Sequence, residues 1–297
     1  LDAVEDAGAL SNDGTSEIYI TGNPGEGLHA EFLRQFGYDE PYAKPERDYN
    51  AIEVVFEKRL SNNYYYHLNY TYSRLRGNYS GLANTDEQSG GLNGDARSDP
   101  GVNRNFDLPY IGFTARGESD YGPLATDRPH AFNAYGAYNF DWFGSNSNTT
   151  DIGVFQTIMS GTPQSTTVNF LVPVFLERRG DMGRTPTFTQ TDLSLSHKYK
   201  FGRDNRFTLA MDFNVLNLFD QKTVTGKNTE LGNVSVFDTY GIYDGYVDLI
   251  NAFNRGDLHD KFIDVLDTTE SGYNQAYGMP NRYQGARSVR FGFRLLF

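Results

Sequence analysis

Cysteine is absent from the 297 residues, which removes disulfide frameworks, thiolate metal sites and thiol nucleophiles together. Long apolar runs are missing too. No stretch approaches the roughly 20 residues that a membrane helix needs, so a bilayer would have to be crossed by strands. Basic charge is scarce, with 26 Lys and Arg against 38 Asp and Glu and a formal net charge of -12. That balance speaks against nucleic acid, whose phosphates call for a basic footprint, and suits solvated loops. No charged-then-apolar leader opens the sequence, so a secreted origin would need one removed or lying further upstream. Catalytic signatures are lacking: there is no H-x-x-x-H, G-x-S-x-G, G-x-G-x-x-G or phosphate-binding loop, and His29, His67, His130, His197 and His259 are scattered. Neither a catalytic residue nor a metal site is expected.

What the chain has is aromatic wealth, 21 Tyr and 22 Phe, beside only 38% hydrophobic residues. These rings alternate with polar groups. In YYYHLNYTYS, Tyr64, Tyr66, Leu68, Tyr70 and Tyr72 share one face, while Tyr65, His67, Asn69, Thr71 and Ser73 share the other. TDLSLSHKYKF sets Leu193, Leu195, Tyr199 and Phe201, with His197 among them, against Asp192, Ser194, Ser196, Lys198 and Lys200. FTLAMDFNVLN sets Phe207, Leu209, Met211, Phe213 and Val215 against Thr208, Ala210, Asp212 and Asn214. The final SVRFGFRLLF opposes Val289, Phe291, Phe293, Leu295 and Phe297 to Arg290 and Arg294. Weaker alternation in AIEVVFEKRL and AFNAYGAYNFDW, and a strand of unassigned facing at DIGVFQTIMSG, bring the expected strands to seven.

Alternation also suits a soluble β-sandwich, so the connections decide more. Short turns at 61–63, 144–150 and 202–206 alternate with long segments at about 76–127, 161–187 and 220–282. Compact soluble domains rarely carry such loops, whereas outer-membrane barrels pair short periplasmic turns with long extracellular loops. The expected fold is therefore all-β, a partial antiparallel transmembrane β-barrel, with 1–48 an extracellular loop segment and 49–297 the C-terminal strands. His67, Asn69, Asp192, Asp212, Asn214, Arg290 and Arg294 are expected to face the lumen. An aromatic girdle is expected from Tyr64, Phe140, Trp142, Tyr199 and Phe201 toward the periplasm and from Tyr70 and Tyr72 at the other rim.

TDRPHAFNAYGAYNF at 126–140, RRGDMGRTPTFTQTDLSLSHKYKF at 178–201, FNVLNLFD at 213–220 and the closing RSVRFGFRLLF together resemble the C-terminal part of TonB-dependent outer-membrane transporters, in their Oar-like branch. The resemblance implies a Gram-negative outer membrane and active transport of a large solute, peptide or protein-derived among the options. It implies as partners membrane lipid, the barrel-assembly machinery, for which Val289, Phe291, Phe293, Leu295 and Phe297 would be the signal, a TonB-type energy transducer, and other surface proteins. Transporters of this kind have about 22 strands around a plugged lumen. Seven strands therefore imply that the remaining barrel and plug come from the same or another chain. A structural or adhesive barrel presenting its loops as a docking platform is the alternative, and a soluble sandwich module the third. No cofactor is expected. NTDEQSGGLNGDARSD and NRGDLHDKFIDVLD bring oxygen ligands together as a Ca2+ ion would use them, but without calcium-loop spacing, and solvated loops are the favoured reading. The RGD at 179–181 is read as part of the family-like stretch rather than as an adhesion signal.

Overall fold

The computed structural model describes residues 25–79, 112–144, 147–170, 173–234, 236 and 246–297, with the backbone alone at 246, 249 and 250. All seven expected strands are present. β1 (Arg47–Ser61), β2 (Tyr64–Gly77), β3 (Gly122–Pro123), β4 (His130–Asp141), β5 (Asn148–Met159), β6 (Thr167–Asn169), β7 (Pro173–Phe175), β8 (Phe188–Phe201), β9 (Phe207–Leu216), β10 (Val224–Lys227), β11 (Pro280–Tyr283) and β12 (Ser288–Leu296) follow in chain order. The main sheet runs β1-β2-β4-β5-β8-β9-β12, each neighbour antiparallel to the next, and β3 adds a short pair to β2.

Each strand pairs with its neighbour in sequence, so the sheet is a meander whose register is set locally. At one end the hairpins close tightly: Asn62 and Asn63 both take left-handed backbone (φ 52 and 66), the conformation that a two-residue turn between twisted strands demands. The long links all emerge at the opposite end. β1 and β12 have no second neighbour in the sheet among the described residues. With seven strands these two edges run parallel to each other, so they cannot close the sheet by pairing in antiparallel fashion.

The links are not structureless, as the sequence suggested. They carry the strand pairs β6-β7 and β10-β11 and two helices that, after α1 (Gly27–Gln35) ahead of β1, are α2 (Tyr246–Arg255) and α3 (Leu258–Thr268). Phe113 from the first link, Val168, Phe170 and Leu176 from the second, and Phe253 and Phe262 from the third share one buried cluster. Phe170 meets Phe253 edge-on at 5.4 Å. The core of this chain thus lies in the link layer, while both faces of the main sheet remain open.

Candidate functional site: a two-faced wall under a braced link layer

Register fixes which side chains share a face. Tyr64, Tyr138, Ile152, Leu195, Phe213 and Phe291 align across six strands, and the next row down the sheet holds Phe140, Thr150, His197, Met211 and Phe293. β5, whose facing the sequence left open, contributes Ile152, Val154 and Ile158 to this apolar side. The side is exposed, with Phe291 at 68% and Phe293 at 73%. An apolar surface of this extent marks contact with something apolar. Its polar spots are satisfied internally: Thr150 binds Trp142 Nε1 and His197 Nδ1, each at 2.8 Å, and Thr191 donates to Gln156 at 2.5 Å.

The apolar band crosses the strands obliquely. Val289, through Val215, Leu193, Val154 and Gly136, lies in register with Tyr66, six residues from the Tyr72 that begins the band on β2. Leu195 lies in the row of Tyr64 and Phe201 stands six residues beyond it, so the turn-side edge shifts in the same direction. Six residues of roughly 3.4 Å against the five strand gaps from β2 to β12, of roughly 4.8 Å each, give a tilt of about 40°. Nine residues per strand at that tilt rise about 21 Å, near the band of roughly 25 Å and within the tilt of roughly 35–45° typical of membrane barrels.

The sequence-predicted girdle residues sit at the two margins of this band. Phe140 and Trp142 approach to 4.9 Å and Tyr199 and Phe201 stack at 5.9 Å on the turn side. Tyr70, with its hydroxyl 2.8 Å from His130 Nδ1, and Tyr72 stand on the link side.

The opposite face is a polar network. Asn69 binds Glu53, Ser194 donates to Asn214 at 2.7 Å and Ser196 to Asp212 at 2.8 Å, and Arg294 reaches Asp212 at 3.5 Å. His67, Arg290 and Asp192 share this face, yet the Asp192 carboxylate is engaged at the rim. It accepts the Asn217 N–H at 2.8 Å and the Gln190 amide at 2.9 Å. Asn217 is 2% exposed, and its own amide bridges Gln221 and Gly285, binding the end of β9 to the approach of β12. The predicted lumen-facing residues therefore share a wall but do not converge on one point.

The family-like motifs anchor the links to the wall. Asp127 accepts the Leu75 N–H at 2.7 Å and pairs with Arg184. Arg179, its side chain 1% exposed, binds Asp120 at 2.9 Å and the Asp120 carbonyl at 2.7 Å, and lies 4.5 Å over the Phe175 ring. Asp181 receives the Thr166 N–H at 2.8 Å, and Gly180 and Gly183 supply the positive φ (both 77°) that lets the chain turn between them. The RGD tripeptide is thus an internal brace, with its arginine inaccessible to an adhesion receptor.

A second clasp was not foreseen from sequence. Arg116 grips Glu177 with two bonds of 2.8 and 2.7 Å, and His259 stands 3.0 Å from Glu177 and 2.8 Å from Asp260, tying all three long links together. The Arg116 hydrogen bond holds the Glu177 carboxyl below its ordinary value of 4.5, against an opposing push from burial, with the Arg116 charge and His259 assisting. A depressed folded value makes this contribution complete above about pH 4.5 and lost as pH falls through it. Protease protection of residues 112–119 should fall as pH drops below about 4.5, and Glu177→Gln should already be less protected at neutral pH and flatten that dependence. Among the described residues no group of three or more His, Asp or Glu is placed to hold a metal. The acidic stretch at 254–267 is largely the α2–α3 corner and α3, with Asp257, Asp260 and Asp267 engaged by Arg255, His259 and Tyr273. The other acidic stretch lies outside the described residues.

The sequence is similar to the TonB-dependent transporter Oar of Myxococcus xanthus, 30% identical over 286 residues, which is 94% of this chain and 24% of that protein. The chain thus spans about a quarter of the length of the relative it matches. No family model matches, and no solved structure does either. That relative is described as a transporter. No helix among the described residues is long and apolar enough to cross a membrane. Over nearly its whole length the chain is thus similar to a C-terminal part of an Oar-type TonB-dependent transporter.

Proposed function

We propose that these residues form the C-terminal strands of a transmembrane barrel that imports a large solute, peptide or protein-derived, under the control of a TonB-type energy transducer. The observation that carries this reading is the oblique apolar band: it has the height and tilt of a bilayer-spanning surface, and a polar wall backs it. β1 and β12 would be completed by further strands, since unpaired backbone has no partner inside lipid. The barrel-assembly machinery would engage β12, and a plug supplied by other residues would gate the lumen. The folded link layer, with its own core, lends support to a second reading in which the barrel displays a rigid platform to other surface proteins.

The absence of cysteine makes the test direct. Single cysteines at Leu209, Met211, Phe213 and Val215 should react with a lipid-phase maleimide in native membranes, while those at Thr208, Asp212 and Asn214 should resist it. Uptake that collapses when the inner-membrane proton gradient is dissipated would support import. Intact labelling with gradient-independent behaviour would favour the platform, and labelling without a period of two would sink the barrel itself.

A further inference from the structure

The polar face carries an aromatic enclave. Glu57, His67, Tyr135, Phe155 and Asp192 lie in one register row across five strands, with Tyr65 in the adjacent row. His67 stacks on Tyr135 at 5.0 Å and 15°, Tyr65 stands nearly perpendicular to Tyr135 at 6.4 Å and 71°, and Phe155 follows at 6.5 Å. Tyr65 and Tyr135 remain 40% and 43% exposed. Such a cluster of rings stands out on a wall otherwise made mostly of amides, hydroxyls, charges and small residues.

A bulge in β1 completes the feature. Lys58 pairs with Tyr66 and Ser61 with Tyr64, so Arg59 and Leu60 together oppose Tyr65 and are brought to the ring side. The result is an open depression of about 250 Å³ whose lining includes Glu57, Arg59, Leu60, Tyr65, His67 and Tyr135. Drug-sized pockets run to roughly 300–1,000 Å³, so this is room for one group rather than a whole ligand. Neither Glu57 nor Arg59 makes an ion pair or side-chain hydrogen bond among the described residues.

We propose that this depression is a subsite for one aromatic residue of a peptide moving along the polar wall. The inference rests on the import reading and names part of its substrate. A ring set in the corner of Tyr65 and Tyr135 can stack on one and meet the other edge-on, the two arrangements that aromatic pairs favour. A sugar offers a C–H face to one ring but turns hydroxyls toward the second. Glu57 accepts from a peptide N–H or terminal ammonium, and Arg59 donates to a carbonyl or terminal carboxylate. Free groups of both signs, two positions apart, complement a peptide better than an ion of either charge.

The test uses the full-length protein in detergent micelles, with the tripeptides Ala-Phe-Ala and Ala-Ala-Ala and the neutral sugar maltotriose as probes in equilibrium titrations. Ala-Phe-Ala should bind saturably and about tenfold more tightly than Ala-Ala-Ala, and Tyr135→Ala should erase that preference while Tyr135→Phe retains it. Glu57→Gln or Arg59→Gln should weaken both peptides without changing the preference between them. Equal affinity for the two peptides, a preference for maltotriose, no saturable binding, or an unchanged preference in Tyr135→Ala would each overturn the subsite. Failure of the import reading is separable, since it would appear as gradient-independent uptake with the aromatic preference intact.

Discussion

Arg179→Ala is expected to loosen the link layer by about 3–5 kcal/mol, the usual consequence of removing one partner from a buried ion pair. Both members are 1% exposed, so Asp120 would lose its cationic partner where water cannot readily replace it. The same guanidinium also binds the Asp120 carbonyl, reaches the Asn78 carbonyl at 3.3 Å and covers the Phe175 ring. Lysine has no planar fork to repeat this, so Arg179→Lys should recover only part of the loss. Hydrogen exchange on membrane-embedded protein is the measurement. Protection should fall in residues 112–127 and 173–185 while β4, β5 and β8 stay protected. Unchanged exchange in both links would remove the brace from the account and leave the motif without a structural role.

The strands were legible in the sequence because a strand with one apolar and one polar face repeats with period two and its hairpin partners are adjacent. β5 kept its facing hidden because Phe155 sits on the polar side and Gln156 on the apolar side, so alternation alone gives contradictory signs there. Only the pairing of Phe155 with Tyr135 and Asp192 resolves it. The α3 helix was present in the sequence as Leu258, Phe262, Val265 and Leu266 at helical spacing, but its aspartates drew the reading toward a solvated loop. The link core was not legible, since Phe113, Phe170 and Phe253 meet across long sequence separations with no local signal. Tyr65 and His67 could be placed on the polar face from sequence. The enclave could not, because it needs Tyr135 and Phe155 from two further strands and a bulge that redirects Arg59 and Leu60.

Met211→Arg should cost about 2–4 kcal/mol of barrel stability, whereas Phe207→Arg, on the same face, should cost only about 0–1 kcal/mol. Met211 stands midway along the apolar run of β9 from Phe207 to Val215, in the row of His197 and Phe293. An arginine there must carry its charge into hydrocarbon or deform the bilayer around it, while at the turn-side margin the same charge reaches the headgroups. Ser196→Arg, on the polar face between Asp151 and Asp212, should be close to neutral because it enters an acidic, hydrated wall. Folded fractions of the full-length protein in vesicles, read by the gel shift between heated and unheated samples across a urea series, give all three values. A packed soluble core would also reject Met211→Arg, so the gradient from Met211 to Phe207 is the deciding quantity. It should flatten in vesicles made from shorter lipids, where both positions lie nearer an interface. Equal costs at the two positions, indifferent to lipid length, would mean that this face packs against protein and that the oblique band has another cause.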